Sequence, residues 1–154
     1  MNGRPSLDSY FLTMLHFVAT RSTCVRRAVG AIIVGDYGIA KHQILATGYN
    51  GVPRGFDHCN EGTLCLGAND QKGDTSRCMA VHAEQNALMQ CRNLEGAHTM
   101  YVSCAPCFVC AKMILNTPIK RVVSLESYQE SGTVGASILL RGGVDFVVAE
   151  NFKP

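Results

Sequence analysis

The sequence predicts an α/β domain built as one mixed sheet with helices on both of its faces. Two observations carry that expectation. Strand-like apolar runs alternate with segments of helical period along most of the chain, the element order of a layered α/β domain. The first two strand-like runs follow one another across a Gly-containing turn, so they form a hairpin and the sheet is mixed. At 154 residues the chain suits one domain with a real core, and 1–154 are read as such.

The elements follow in order. Leu7, Phe11, Met14, Leu15 and Val18 recur at helical spacing, with Ser6 or Asp8 available as a cap. VGAIIVG (29–35) and ILATGYN (44–50) are the two strands of the hairpin. Residues 51–79 are rich in Gly, Asn and Asp and lack a period. An insertion of that length in a compact domain is functional or held by something. A helix is expected over 82–93, with Ala83, Ala87, Leu88 and Cys91 as its inner stripe. HTMYVS (98–103) is a strand. CFVCAKMILN (107–116) is a helix entered from Pro106. IKRVVSL (119–125) is a strand, and SGTVGASILLRGG (131–143) a helix stopped by two glycines. VDFVVAE (144–150) completes five strands.

Composition narrows the function classes. Fourteen Lys and Arg against twelve Asp and Glu give a net charge of +2, too little for a nucleic-acid footprint. No apolar run approaches the roughly 18 residues of a membrane span. The N-terminal YFLTMLHFVAT is too interrupted for a secretion signal, so a cytoplasmic location is expected, the host's if the source is viral. Eight cysteines, at 24, 59, 65, 78, 91, 104, 107 and 110, then point to metal or catalysis rather than a disulfide framework.

The chemistry concentrates in two short stretches. In APCFVC, Cys107 and Cys110 are three apart in a first helical turn, so both thiolates can reach one ion. Zinc takes thiolate and imidazole, and three protein ligands with one open position is the catalytic arrangement. His82, in AVHAEQNALMQ, is the third ligand if the two helix starts lie side by side. Glu84 is two residues on and cannot share the metal from mid-helix. At a helix tip it can reach a water in the open position, take its proton and deliver it to a substrate. Each feature has an ordinary alternative: a capping histidine, a glutamate facing the helix dipole, a redox pair or structural half-site of cysteines. Together, H-x-E followed by P-C-x-x-C is the zinc nucleobase-deaminase pattern. Cys91 reads as core, and Cys104 as packing or a backbone contributor beside the metal loop.

At these residues the chain resembles the zinc-dependent cytidine deaminase superfamily, and within it the deoxycytidylate (dCMP) deaminase family. The resemblance covers nearly the whole chain. It rests on VGAIIV, GYNGVPRGFDHC (48–59), VHAEQNAL (81–88), MYVSCAPCFVCAKMI (100–114), IKRVV and SLESY (124–128). It implies a three-layer αβα cytidine-deaminase-like fold with a five-stranded sheet, and hydrolysis of dCMP to dUMP and ammonia, which supplies dTTP precursors. Water activated at zinc attacks C4 of the base, and Glu84 protonates N3 and then the leaving amine.

The backbone N–H of Ala83 is implied for the base O2, and carbonyls of the Ser103–Ala105 turn for the exocyclic amine. Asn50 is implied for the deoxyribose, Tyr128 for packing near the sugar, and Arg26 or Arg27 for the phosphate. The resemblance further implies a homohexamer activated by dCTP with Mg2+ and inhibited by dTTP, with Asn50 and Gly51 in the effector site. A second, structural Zn2+ is implied at Cys24 and Cys59, with Cys65 and Cys78 completing it and His58 as a substitute ligand. It would brace the insertion. Rival readings are a deaminase of tRNA adenosine or free cytidine, and a non-catalytic zinc module. A structural site would close with four ligands and need no Glu84. No nucleic-acid or membrane partner is expected.

Overall fold

The computed structural model describes residues 3–36, 38, 41–61, 65–70, 76–127, 131–149 and 152. Nine elements follow in the expected order: α1 Leu7–Ala19, β1 Gly30–Gly35, β2 Ile44–Tyr49, α2 Ala83–Gln90, β3 Ala97–Cys104, α3 Phe108–Leu115, β4 Arg121–Glu126, α4 Ser131–Arg141 and β5 Asp145–Val148. The five strands form one sheet in the order β2-β1-β3-β4-β5. β1 is antiparallel to both β2 and β3, while β3, β4 and β5 run parallel. The mixed sheet of the expected hairpin is therefore present.

Strand parity sorts the core into two clusters. Ala31, Ile33, Met100, Val102 and Val122 face one side, where they meet Ala83 and Ala87 of α2, Ala111 and Ile114 of α3 and Leu139 of α4. The residues between them, Ile32, Val34, Tyr101 and Val123, face the other side and meet Phe11, Leu12 and Leu15 of α1. Helices therefore cover both faces, three on one and one on the other. Alternation of apolar side chains on both faces is what a doubly covered sheet requires. Among the described residues no helix is long and apolar enough to cross a membrane.

The choice of cap for α1 is settled by a distant partner. Ser6 Oγ accepts from Ser9 N–H at 3.1 Å and caps the helix. Asp8 instead receives two bonds from Arg121 of β4, at 2.7 and 2.8 Å, and one from the Tyr101 hydroxyl at 2.8 Å. Arg121 and Tyr101 hold the Asp8 carboxyl below its ordinary value, against the opposing effect of burial. Because the folded value lies below the unfolded one, this stabilisation is complete above about pH 4 and disappears as pH falls through the folded value. Asp8→Ala is expected to cost about 1 kcal/mol near neutral pH, since solvent screens a half-exposed carboxylate, and almost nothing in acid. Urea unfolding at both pH values checks this; an equal cost at both would show that packing, not the ion pair, is what the substitution removes.

One helix end differs from the sequence reading and another agrees with it. α2 stops at Gln90 rather than 93, because Cys91 is extended (φ −75°, ψ 104°) and the Asn93 side chain accepts from Gly96 N–H to start a short 3-10 turn. α4 ends at Arg141, with Gly143 at φ 81° just beyond it, as the paired glycines predicted.

Candidate active site

Two helix starts meet at the C-terminal end of β3. His82 is the N-cap of α2 and Cys107 the N-cap of α3. α2 is held down on the sheet at Gly48 of β2, where a Cβ would lie 2.2 Å from the Ala83 carbonyl oxygen and 2.4 Å from Ala87 N. The strand that carries Gly48 then leads to Gly51, whose backbone exchanges two bonds with Val81, at 2.8 and 3.2 Å. That bridge fixes the residue before His82. Gln85 completes the frame: its Oε1 accepts from His82 N–H at 2.8 Å and its Nε2 donates to Met113 Sδ of α3 at 3.8 Å.

The three expected ligands converge. His82 Nδ1 stands 3.5 Å from both Cys107 Sγ and Cys110 Sγ, and all three atoms lie within 4.8 Å of one another. A thiolate at about 2.3 Å and an imidazole at about 2.0 Å from zinc, at a tetrahedral angle, stand about 3.5 Å apart. The donor set and its spacing therefore fit a zinc ion with one position left open. The Cys107 thiol is pulled down to about 4, first by donation from the Cys110 thiol and then by His82. The same contact pushes Cys110 up. His82 is raised, chiefly by its contact with Cys107.

Glu84 sits in the first turn of α2, 3% exposed. Burial raises its carboxyl above the ordinary value, while its own backbone N–H and His82 pull the other way. It opens on a cavity of about 490 Å³ whose walls include His82, Ala83, Asn50, Arg26, Arg27 and Phe108. His82 and Cys107 reach the cavity wall while Cys110 is buried behind it, so a metal held by the three, a flat ring and an anion can meet in one cavity beside a buried carboxyl and two arginines.

The other expected site residues divide. Asn50 lines the cavity, and its side chain also pins the segment before β1. Oδ1 accepts from Ser22 Oγ at 2.6 Å and Val29 N–H at 2.9 Å, and Nδ2 donates to the Arg27 carbonyl at 2.9 Å. Ser103 lies inside β3, with its hydroxyl accepting from Gly30 N–H at 2.9 Å. Cys104 and Ala105, two residues of the Ser103–Ala105 turn, line the cavity. Burial pushes the Cys104 thiol up to about 12. Tyr128 lies outside the described residues. Gln85, Phe108 and Glu126 were not singled out from sequence. Only Gln85 had a signal, a glutamine three residues after a cap position.

All eight cysteines are free thiols. Cys24, Cys59, Cys65 and Cys78 share one neighbourhood around the insertion. The Cys59 thiol is pushed up to about 11, by burial first, then by hydrogen bonding to Cys65 and by the charges of Cys65, Cys24 and Cys78. His58 pairs with Thr23, beside Cys24, at 3.4 Å. Their sulfurs do not form a group as tight as the first: among the described residues only His82, Cys107 and Cys110 do so.

Residues 5–126 match a family described as the cytidine and deoxycytidylate deaminase zinc-binding region. The chain belongs to the cytidine and deoxycytidylate deaminase family. It is 39% identical to a deoxycytidylate deaminase of Schizosaccharomyces pombe over 92% of its length and 43% of the yeast protein. It is 41% identical to the deoxycytidylate deaminase of Mycobacterium phage D29, over 79% of its length and 95% of that protein. The chain thus spans less than half of the fission-yeast relative and most of the phage one. In structure it is similar to the dCMP deaminase of cyanophage S-TIM5 in complex with dCMP and dUMP: TM-score 0.71 and 28% identity, covering 94% of this chain and 98% of that one. The three-layer fold of this deaminase family is the fold expected from the sequence.

Proposed function

We propose that this chain hydrolyses dCMP to dUMP and ammonia. The observation that carries the reading is the meeting of His82, Cys107 and Cys110 beside the buried Glu84 in a chain related to deoxycytidylate deaminases. His82, Cys107 and Cys110 would hold zinc, which when bound supplies a Lewis acid able to bring the pKa of water towards about 7.

The chain's own groups do the rest. Glu84 takes the proton of the attacking water, delivers it to N3 of the base, and then serves the departing amine. The first-turn N–H of Ala83 lacks an intrahelical acceptor and donates to the base O2. Carbonyls of the Ser103–Ala105 turn accept from the exocyclic amine. Asn50, held in place by Ser22 and Val29, offers its amide to the deoxyribose. Arg26 and Arg27 meet the phosphate.

The reading extends to regulation and assembly: a homohexamer in the cytoplasm, activated by dCTP with Mg2+ and inhibited by dTTP, with Asn50 and Gly51 contributing to the effector site. Residues 1–154 act as one deaminase domain in it. The test is ammonia release from dCMP, dCTP, deoxycytidine and CMP, each with and without dCTP·Mg, alongside zinc per chain. Turnover of dCMP raised by dCTP supports substrate and regulation together. Turnover of deoxycytidine in preference to dCMP would overturn the substrate assignment.

Cys24, Cys59, Cys65 and Cys78 would hold a second zinc that braces the insertion. Their shared neighbourhood supports this, since four thiols with little core around them gain most from a closed site. Cys59→Ser is expected to lower zinc from two per chain to one while leaving the ion at His82. An unchanged zinc content in that variant would remove the second site.

A further inference from the structure

Arg27 and Glu126 form an ion pair at the edge of the cavity, Nη2 to Oε2 at 2.5 Å. They stand 99 residues apart in sequence. They meet because the entry to β1 and the exits of β3 and β4 share one end of the sheet: Ala31 pairs with Val102, and Cys104 with Glu126. Arg27 lines the cavity and Glu126 does not. Each is fixed from its backbone. The Arg27 carbonyl accepts from Asn50 Nδ2 at 2.9 Å. The Glu126 carbonyl accepts from Ala105 N–H at 3.0 Å and from the Oγ of buried Ser124 at 2.7 Å.

The two side chains are 35% and 66% exposed. An ion pair that open to solvent adds little to stability. Its consequence is orientation. A long arginine loses rotamer freedom when it binds an anion, and one already held loses less. The guanidinium fork also matches phosphate geometry.

We infer that Glu126 is a positioning residue: it holds the Arg27 guanidinium towards the phosphate of a nucleoside monophosphate and so sets the preference for nucleotide over nucleoside. The inference rests on the dCMP reading above, and its test does not depend on turnover. Calorimetry on the zinc-loaded full chain measures affinity for dUMP and for deoxyuridine. Arg27→Ala is expected to lower the ratio of the two affinities about tenfold. Glu126→Ala is expected to lower it about three- to fivefold, with an unchanged melting temperature. Glu126→Gln should recover most of that loss, because the amide oxygen still accepts from Arg27. The double variant should be no worse than Arg27→Ala alone, the mark of two residues acting through one contact.

A ratio unchanged or raised by Glu126→Ala overturns the inference, as does a full additive loss in the double variant. Absent dCMP turnover with a normal dUMP preference would overturn the deaminase reading and leave Glu126 decided. Failure of the unmodified chain to bind dUMP would overturn both.

Discussion

Glu84→Gln is expected to leave zinc bound at His82, Cys107 and Cys110 and to lower dCMP turnover by about 10²–10⁴-fold, with the upper end favoured because the carboxyl is used twice per cycle. The side chain is not one of the three converging donors. It is 3% exposed, and burial already favours its neutral form, so an amide of the same shape enters without clash or an added charge. What the amide lacks is the ability to take and return a proton. Zinc per chain and ammonia release, measured on the same sample, separate the two roles. Loss of zinc would make Glu84 a support for the ligands. Retained turnover would place proton transfer on another group.

Gly48→Ala is expected to lower stability and zinc affinity together. The new methyl would sit 2.2 Å from the Ala83 carbonyl oxygen and 2.4 Å from Ala87 N. Both are backbone atoms, so no side-chain rotamer relieves the contact, and α2 must lift from β2. Overpacking of this kind costs about 1–3 kcal/mol or more, and at about 2–4 °C per kcal/mol for a chain of this size the melting temperature should fall by about 5–10 °C. The lift also carries His82 and Glu84 away from Cys107 and Cys110. Zinc affinity should therefore fall with stability. A variant with an ordinary melting temperature and full zinc would mean that α2 does not rest on the strand at this point.

The site was largely legible because its chemistry is local in sequence. H-x-E and P-C-x-x-C each lie within one helical turn, and helix starts in an α/β sheet collect at the same end of the strands. Element order was legible for the same reason: periodicity is a local property. What sequence did not disclose depends on distant partners. Ser6 and Asp8 are equally good caps on paper, and only Arg121, 113 residues from Asp8, takes one of them away. The end of α2 turns on Asn93 capping a different turn. Gly48 reads as one more small residue in GYNG, and the helix backbone above it is visible only in three dimensions. The bond from Gly30 N–H to the Ser103 hydroxyl, 73 residues away, is hidden in sequence for the same reason.

One strand, β3, belongs to both halves of the sheet: antiparallel to β1 on one side and parallel to β4 on the other. Arg26, Arg27 and Asn50, proposed to meet the sugar and phosphate, come from the hairpin half, and Glu126 reaches Arg27 from β4. Cys107 and Cys110 follow β3 on the crossover to β4, and His82 and Glu84 open the helix between the halves. Selection and reaction thus draw mainly on different parts of the chain, which abut along a shared seam. A lineage can rewrite residues 22–29 and 50–51 to accept a different sugar or phosphate while the bond-breaking groups stay as they are. The same seam offers a place to graft a new specificity by design.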